Sequence, residues 1–311
     1  MGHYIVIGSG SIGRRHHENL TALGATSRLM SWRALAPGDL EAAVTGADGM
    51  VVATATDIRL ELVETAAQKG VALYIEKPLA YRQRDLAALM TAAAPVSERS
   101  VAGFMMRYHP AVRALFDDPV DAFRFGFEIG HDVRQWRANW SFADSYAANA
   151  EGGGVLLDLC HEIDMATFLF PGLELTAAQS IGHADFPGVD FATHLSFARG
   201  PSHGHVAMDY LSPKFIRRVS LRGRDSGLEL DLLNSRQIRW QGTEETTQDW
   251  DFDRNDMFLN IMSDFMALAE GRAPSETPLL PRLDRVGESC EMIARAWEDR
   301  DFTGRIEGGF S

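Results

Sequence analysis

Residues 4–13 read Tyr4-Ile5-Val6-Ile7-Gly8-Ser9-Gly10-Ser11-Ile12-Gly13, an apolar run followed by a glycine-rich turn. The run at 4–7 is β-branched and aromatic, which is typical of a buried parallel strand. Residues 14–23 continue in a helical pattern that Gly24 ends. The glycine spacing is G-x-G-x-x-G, and a strand before it and a helix after it are the context that a dinucleotide-binding turn requires. We therefore predict a dinucleotide site; the alternative is an ordinary glycine-rich turn.

Each residue of this turn has a separate expected role. Gly8 permits the tight turn, Gly10 lets the backbone approach a pyrophosphate, and Gly13 lets the helix pack closely on the strand. Ser11 and Ile12 begin the helix, whose N-terminal N–H groups would point at the phosphates. We therefore predict that these five residues bind the cofactor.

The residues after the second predicted strand, 27–31, indicate which dinucleotide is bound. Folds that bind NAD usually place an Asp or Glu there to hold the ribose 2′-hydroxyl. This chain has Ser31, Trp32 and Arg33 instead, and an arginine suits a 2′-phosphate. We expect NADP in preference to NAD, with Ser31 and Arg33 at the phosphate and Trp32 near the adenine. The alternative is that Arg33 is a solvated loop residue.

Strands and helices alternate along the first part of the chain. Predicted strands at 49–54, 72–75 and 101–104 alternate with predicted helices at 40–44, 59–69 and 86–94, and this order favours a doubly wound parallel sheet. We predict that residues 1–115 form a Rossmann domain. Thr54 and Glu76 come at the carboxyl ends of strands, where open α/β sheets bind ligands, and we expect both to contact the cofactor.

A different pattern, of short alternating strands, begins near residue 120. It predicts an open, mostly antiparallel sheet within a second α/β domain, 116–311. One face of that sheet needs a cover, either the helix that begins near Val155 or a second copy of the sheet in a dimer. Two terminal helices are expected at 256–269 and 282–297, with the option of packing back on the first domain. The predicted strands lie at 123–129, 177–183, 192–197, 205–210, 218–222, 228–232 and 235–240.

Composition excludes several classes of protein. The length of 311 residues favours two domains, and a net charge of −13 without any Lys/Arg run argues against nucleic-acid binding. The chain has two cysteines, Cys160 and Cys290, without C-x-x-C spacing, so we expect neither a disulfide framework nor a zinc site. The first six residues lack a basic signal-peptide region, and no apolar run reaches spanning length. We therefore expect a cytoplasmic protein without a membrane segment.

The turn Glu76-Lys77-Pro78 follows a predicted strand and therefore lies at the cofactor edge of the sheet. Pro78 disfavours helical geometry at the preceding lysine. Lys77 is then placed to accept a proton or to polarise a carbonyl. The alternative is a solvated Glu–Lys ion pair.

Residues 151–164 join three glycines to a helix that carries Asp158, His161 and Asp164. Residues three apart are neighbours on one strip of a helix, and an imidazole between two carboxylates is a good proton shuttle. The alternatives are a structural histidine or a metal site. Because no other His or Cys cluster completes a ligand set, we predict no metal.

A third candidate is the segment Arg107-Tyr108-His109-Pro110, which follows the predicted strand at 101–104. Arg107 and Tyr108, together with Asp164, are candidates for binding the substrate. Packing between the domains is an equally open interpretation of the segment.

Taken in order, these motifs resemble the Gfo/Idh/MocA family of NAD(P)-dependent oxidoreductases over nearly the whole chain. The features that carry the resemblance are the glycine turn with Arg14-Arg15-His16 behind it, the Glu-Lys-Pro turn, the segment at 107–110 and the triple-glycine helix. The resemblance implies a Rossmann domain followed by an α/β domain whose open sheet serves oligomerisation. It also implies reversible hydride transfer between a nicotinamide and a hydroxyl-bearing carbon of a sugar, cyclitol or related polyol.

The resemblance also implies catalytic roles. Lys77 would bind the substrate or relay a proton, and His161 would act as acid or base with the assistance of Asp158. The commoner family pattern places the Asp four residues before the His, whereas Asp158 is three before it, which turns it by about 100° around a helix. The role of Asp158 is therefore open, and Glu162 and Asp164 are candidates to share it. The sequence of residues 152–164 resembles that of a subgroup of the family found in bacterial surface-sugar pathways. This resemblance suggests a nucleotide-linked or acidic sugar as the substrate.

We therefore expect a homo-oligomeric, NADP-preferring oxidoreductase of a carbohydrate hydroxyl or the matching ketone. One alternative is a reductase of a non-sugar carbonyl or an imine, or a dehydratase-type member that retains its cofactor. Another is a sensor protein that binds a dinucleotide without chemistry.

Overall fold

The computed structural model describes residues 2–135, 141–275 and 279–310, and the chain divides into two units. The first comprises Met1–His109 and Phe252–Glu291, and the second comprises Pro110–Asp251 and Met292–Ser311. The division after residue 109 differs from the predicted boundary after residue 115, and residues 252–291 belong to the first unit. The helix at Pro110–Asp117, part of which the sequence assigned to the first domain, lies in the second unit.

Most of the regular elements lie where the sequence predicts them, with ends that differ by up to several residues, but the helix at Pro110–Asp117 was not predicted. The helices are α1 (Ser11–Ala22), α2 (Asp39–Val44), α3 (Arg59–Gln68), α4 (Gln83–Ala93), α5 (Pro110–Asp117), α6 (Val155–Asp158), α7 (His161–Leu169), α8 (Arg254–Ala269) and α9 (Gly287–Glu298). The strands are β1 (His3–Ile7), β2 (Thr26–Met30), β3 (Gly49–Val52), β4 (Ala72–Ile75), β5 (Val101–Ala102), β6 (Ala122–Gly130), β7 (Glu174–His183), β8 (Phe186–Arg199), β9 (Ser202–Asp209), β10 (Ile216–Gly223), β11 (Ser226–Asp231), β12 (Arg236–Gln241), β13 (Glu244–Asp249) and β14 (Asp301–Ile306).

The first unit contains a five-stranded parallel sheet in the order β2-β1-β3-β4-β5. Strands β3 and β4 are buried along their whole length, as expected for a parallel sheet covered on both faces. Helix α8 contributes to this cover, because the ring of Phe265 packs edge-on against Tyr4 and Tyr74. The strand order reverses between β1 and β3, which is the switch point where such sheets bind ligands. The predicted Rossmann fold is confirmed.

The second unit contains a nine-stranded sheet in the order β13-β12-β11-β10-β6-β9-β8-β7-β14. It is mostly antiparallel, as predicted, but β6 pairs with β9 in parallel and β14 pairs with β7 in parallel. Strands β13 and β14 were not predicted. Both lie almost wholly exposed at the two edges of the sheet, so neither carries the alternation of apolar and polar residues that marks a half-buried strand.

Helix α7, the second part of the helix expected from Val155, packs on one face of this sheet, which is one of the two covers that the sequence left open. The ring of Phe170, which follows the helix, stacks on Phe125 of β6 at 4.4 Å between centroids. The opposite face is lined by small and polar side chains, among them Glu128, Ala207 and the stacked rings of His194 and His205. Among the described residues, no helix combines the length and the apolar character that crossing a bilayer needs.

Candidate active site

The glycine turn has the geometry that a bound pyrophosphate needs. Gly8 has a φ of +121°, and a Cβ there would lie 2.2 Å from the carbonyl oxygen of Ala53. A Cβ on Gly13 would lie 1.7 Å from the carbonyl oxygen of Gly8, so both glycines are required by packing. A Cβ on Gly10 would meet no atom within 4 Å. Packing therefore does not require a glycine at position 10, whereas close approach of a pyrophosphate would.

The N-terminus of α1 lies at this turn. Gly10 is its N-cap residue and has no side chain that could cap the helix. The backbone N–H groups of Ser11, Ile12 and Gly13 belong to the first turn, which carries the positive end of the helix dipole. This end of α1 is suited to an anion such as a pyrophosphate, so the residues present fit a dinucleotide.

The three residues proposed for the adenosine side follow β2, which is the immediate neighbour of β1. The N–H of Gly8 donates to the carbonyl of Met30 at 2.9 Å, so the end of β2 lies beside the glycine turn. Arg33 is exposed, whereas Ser31 and Trp32 are half-buried. The first carboxylate after β2 is that of Asp39.

The Glu-Lys-Pro turn follows β4 directly, at the same edge of the sheet. The Glu76 carboxyl is buried, with Oε1 2.6 Å from Nε2 of His16 and Oε2 accepting the N–H of Lys77 at 3.2 Å. Burial alone would raise the pKa of Glu76, but the hydrogen bond from His16 and the nearby positive charges lower it. A Cβ on Gly103 would lie 3.1 Å from this carboxyl, so a glycine makes room for it. Glu76 thus orients the Lys77 backbone; its contact with the cofactor stays a prediction.

A buried arginine, Arg59, joins the two loops at this edge. Its Nη2 donates to the carbonyl of Thr54 at 2.6 Å, and its Nη1 donates to the carbonyl of Glu76 at 2.5 Å and to that of Pro78. The loop that carries Thr54 and the turn that carries Lys77 are therefore tied together. The sequence offers no signal for this role, because Arg59 resembles any polar residue at the start of a helix.

Residues 107–109 pack inside the first unit, whereas Pro110 begins the second. Arg107 Nη2 donates to the hydroxyl of Ser289 at 3.2 Å, and the Tyr108 hydroxyl donates to Asp264 at 2.8 Å. All three residues from Arg107 to His109 are buried. The role of Arg107 and Tyr108 in binding a substrate stays a prediction.

In the second unit, the helix predicted to run unbroken from Val155 is interrupted. Helix α6 ends at Asp158, and α7 begins at His161, because Leu159 has left helical geometry with a ψ of 25°. The prediction that all three residues share one helical strip is therefore wrong for Asp158, whereas His161 and Asp164 both lie in α7, three residues apart.

Two tyrosines hold Asp158. Its Oδ1 accepts the hydroxyl of Tyr146, and its Oδ2 accepts the hydroxyl of Tyr210 at 3.1 Å. Burial, followed by the charge of Asp158, raises the pKa of Tyr210 well above its ordinary value, so this phenol stays a donor. Neither tyrosine was predicted from the sequence.

His161 is the first residue of α7 and is largely buried. The next residue, Glu162, forms a buried bidentate pair with Arg217 of β10, at 2.6 Å and 3.1 Å. This pair anchors the start of α7 on the sheet and occupies the Glu162 carboxylate. Asp164 is fully buried one turn further along, and its predicted contact with the substrate stays a prediction.

A buried aspartate, Asp190, supports the start of α6. Its Oδ2 accepts the N–H of Leu156 at 2.8 Å and the hydroxyl of Thr193 at 3.0 Å. Burial raises the pKa of Asp190. Gly154 has a φ of +90°, and a Cβ there would lie 2.0 Å from Asp190 Oδ1. One of the three glycines therefore makes room for a carboxylate of this chain. The described residues contain no group of three His, Cys, Asp or Glu side chains arranged to hold a metal ion.

Comparison with curated proteins finds two dehydrogenase-type relatives, whereas no family model matches the chain. The chain is 23% identical over 256 residues to an uncharacterized oxidoreductase of Streptococcus pneumoniae serotype 4, a match that covers 75% of this chain and 66% of that protein. It is 27% identical over 184 residues to inositol 2-dehydrogenase of Rhizobium meliloti, covering 53% of each. The match spans about two thirds of the length of the first relative and about half of the length of the second.

Solved structures match nearly the whole chain. UDP-N-acetylglucosamine 3-dehydrogenase GnnA from Acidithiobacillus ferrooxidans superposes with a TM-score of 0.75 at 19% identity, covering 95% of both chains. Levoglucosan dehydrogenase in complex with NADH and levoglucosan superposes with a TM-score of 0.76 at 16% identity, covering 96% of both. An inositol dehydrogenase homolog complexed with NAD+ from Azotobacter vinelandii gives 0.74 at 13% identity, covering 96% of this chain and 95% of that one. At these identities the likeness establishes the fold.

Proposed function

We propose that this chain, whose fold is that of the Gfo/Idh/MocA-type dehydrogenases, is an oxidoreductase that transfers hydride between NADP or NAD and a hydroxyl-bearing carbon of a sugar or related polyol. The observation that carries the proposal is the open space at Gly10, the residue at which α1 begins beside the end of β1. Solved neighbours that contain NADH or NAD+, and that act on levoglucosan or are named after inositol, support the same chemistry. A nucleotide-linked or acidic sugar remains one option within this class, in line with the GnnA neighbour.

In the proposed reaction, the bound nicotinamide supplies the acceptor or donor of the hydride. His161 takes the hydroxyl proton at an imidazole nitrogen while the carbinol C–H leaves as hydride, and returns that proton in the reverse direction. The ammonium group of Lys77 holds and polarises the reacting oxygen. Asp158, which Tyr210 holds in place by a hydrogen bond, assists by accepting a hydrogen bond from a substrate hydroxyl.

His161→Ala tests this function. General acid–base groups contribute about 10²- to 10⁴-fold, so we expect turnover of the best substrate in a panel of sugars, cyclitols and polyols to fall by that factor. Cofactor affinity should stay within about twofold. His203→Ala, which changes an exposed histidine of β9, is the matched control. Retained turnover in His161→Ala would remove His161 from the mechanism. The alternatives predict wild-type turnover only with non-sugar carbonyls or imines, or cofactor binding without turnover.

We also propose that a second copy of the chain covers the open face of the nine-stranded sheet. A shallow cavity of about 350 Å³ lies on this face, lined by Ala207 among others. Sedimentation velocity should then show a species larger than the 34.3 kDa chain. Ala207→Arg should shift it to the monomer, whereas Thr246→Arg on the exposed edge strand β13 should not. A wild-type monomer would contradict this proposal.

A preference for NADP over NAD is a further proposal, and it rests on Arg33. The solved neighbours above contain NADH or NAD+. In this chain, however, an exposed arginine stands where an acidic residue would hold the ribose of NAD, and no carboxylate follows before Asp39.

Arg33→Ala should weaken NADPH binding by about 10-fold or more, the worth of a charge-assisted hydrogen bond, and leave NADH binding unchanged. Dissociation constants from fluorescence titration measure this effect. Arg28→Ala, which removes an exposed arginine from β2 itself, should change neither. Tighter binding of NADH by the wild type would show that Arg33 is a bystander.

A further inference from the structure

Tyr146 combines high exposure with a fixed position. Its side chain is 60% exposed, more than any other exposed large hydrophobic residue among those described. Its hydroxyl nevertheless donates to Oδ1 of Asp158. Single exposed apolar residues are common on protein surfaces, but most of them are not tethered at the far end of the side chain. The ring is therefore held at its hydroxyl while more than half of the side chain is exposed.

The backbone below this ring is fixed as well. The carbonyl of Tyr146 accepts the N–H of Asn149 at 3.1 Å, and the carbonyl of Ala147 accepts the N–H of Gly154 at 2.9 Å. A Cβ on Gly153 would lie 2.5 Å from the carbonyl oxygens of both Tyr146 and Asn149. The absence of a side chain at Gly153 therefore lets the turn at residues 146–149 pack directly against it. This packing places the Tyr146 hydroxyl within hydrogen-bonding distance of Asp158 Oδ1.

The other end of the tether is anchored in the core. Asp158 is half-buried, and its second oxygen accepts the hydroxyl of the fully buried Tyr210. The ring of Tyr210 packs against Phe142 and Phe191, at 5.6 Å and 5.9 Å between centroids. The carboxylate is therefore held from the core side by one phenol, and a second phenol extends from it towards solvent.

We infer that Tyr146 is a specificity-determining residue whose ring packs against the C–H face of a cyclic polyol substrate. The inference rests on the proposed function, because it assigns one contact of the same substrate. A six-membered polyol ring can present a face of C–H groups and a rim of hydroxyls. A fixed aromatic ring offers such a face a large contact area at low entropic cost. Asp158 accepts a rim hydroxyl in a charge-assisted hydrogen bond. An acyclic polyol has no comparable flat face.

Two variants separate the ring from its hydroxyl. Tyr146→Ala removes the platform, and we expect KM for cyclic substrates to rise about tenfold or more while kcat stays within about threefold. KM for an acyclic polyol should not change. Tyr146→Phe keeps the platform and loses the tether, so its effect on KM should be smaller. Phe123→Ala, which removes another exposed aromatic ring of the same unit, is the control and should change neither parameter.

A binding measurement makes the test independent of turnover. Saturation-transfer NMR of myo-inositol and methyl glucopyranoside, with NADPH present, reports contacts to the C–H protons of these probes. The signal should be strong in the wild type and lost in Tyr146→Ala. Unchanged KM and signal in Tyr146→Ala, or an equal loss for cyclic and acyclic substrates, would overturn the inference alone. A wild type that neither turns over nor binds any polyol would overturn the proposed function along with it.

Discussion

Among the described glycines of the first unit, Gly13 leaves the least room for a side chain. Because a Cβ there would lie 1.7 Å from the carbonyl oxygen of Gly8, α1 can begin where it does only with a glycine at that position. The contact holds the N-terminus of α1 against the end of β1, at the switch point of the sheet. Gly10 then faces open space at the helix N-terminus. The proposed cofactor site depends on this steric requirement, together with the one at Gly8.

The same helix supports the proposed catalytic lysine. His16 lies on the buried side of α1, and it holds the carboxylate of Glu76, whose second oxygen accepts the N–H of Lys77. Arg59 links this turn to the loop that carries Thr54, because it donates hydrogen bonds to the carbonyl oxygens of both Glu76 and Thr54. A buried carboxylate is costly unless it is hydrogen-bonded and paired with a positive charge, and Glu76 has both kinds of partner. The position of Lys77 is therefore set by the element that would hold the pyrophosphate.

The sequence predicts well those elements that a short-range pattern of residues encodes. The strand, turn and helix of residues 3–22 and the alternating strands of the second sheet were predicted because period-2 alternation and glycine spacing mark them. The break at Leu159 was missed because residues 155–169 contain no glycine or proline. The partners that complete the site were missed for another reason: Arg59 bonds Glu76 across 17 residues, and Tyr210 bonds Asp158 across 52. No local pattern encodes such pairs.

The central claim is that the first glycine turn holds a nicotinamide dinucleotide. Titration with NADH and NADPH, followed by energy transfer from the six tryptophans to the reduced nicotinamide, tests it most directly when wild type and Gly10→Ala are compared. The account predicts saturable binding in the wild type and a loss of about tenfold or more in Gly10→Ala. The free energy of unfolding of the variant in urea should fall by no more than about 1 kcal/mol, the cost of an alanine at a helix N-cap, since its Cβ meets no atom within 4 Å. Absence of binding in the wild type, or equal binding by the variant, would contradict the claim.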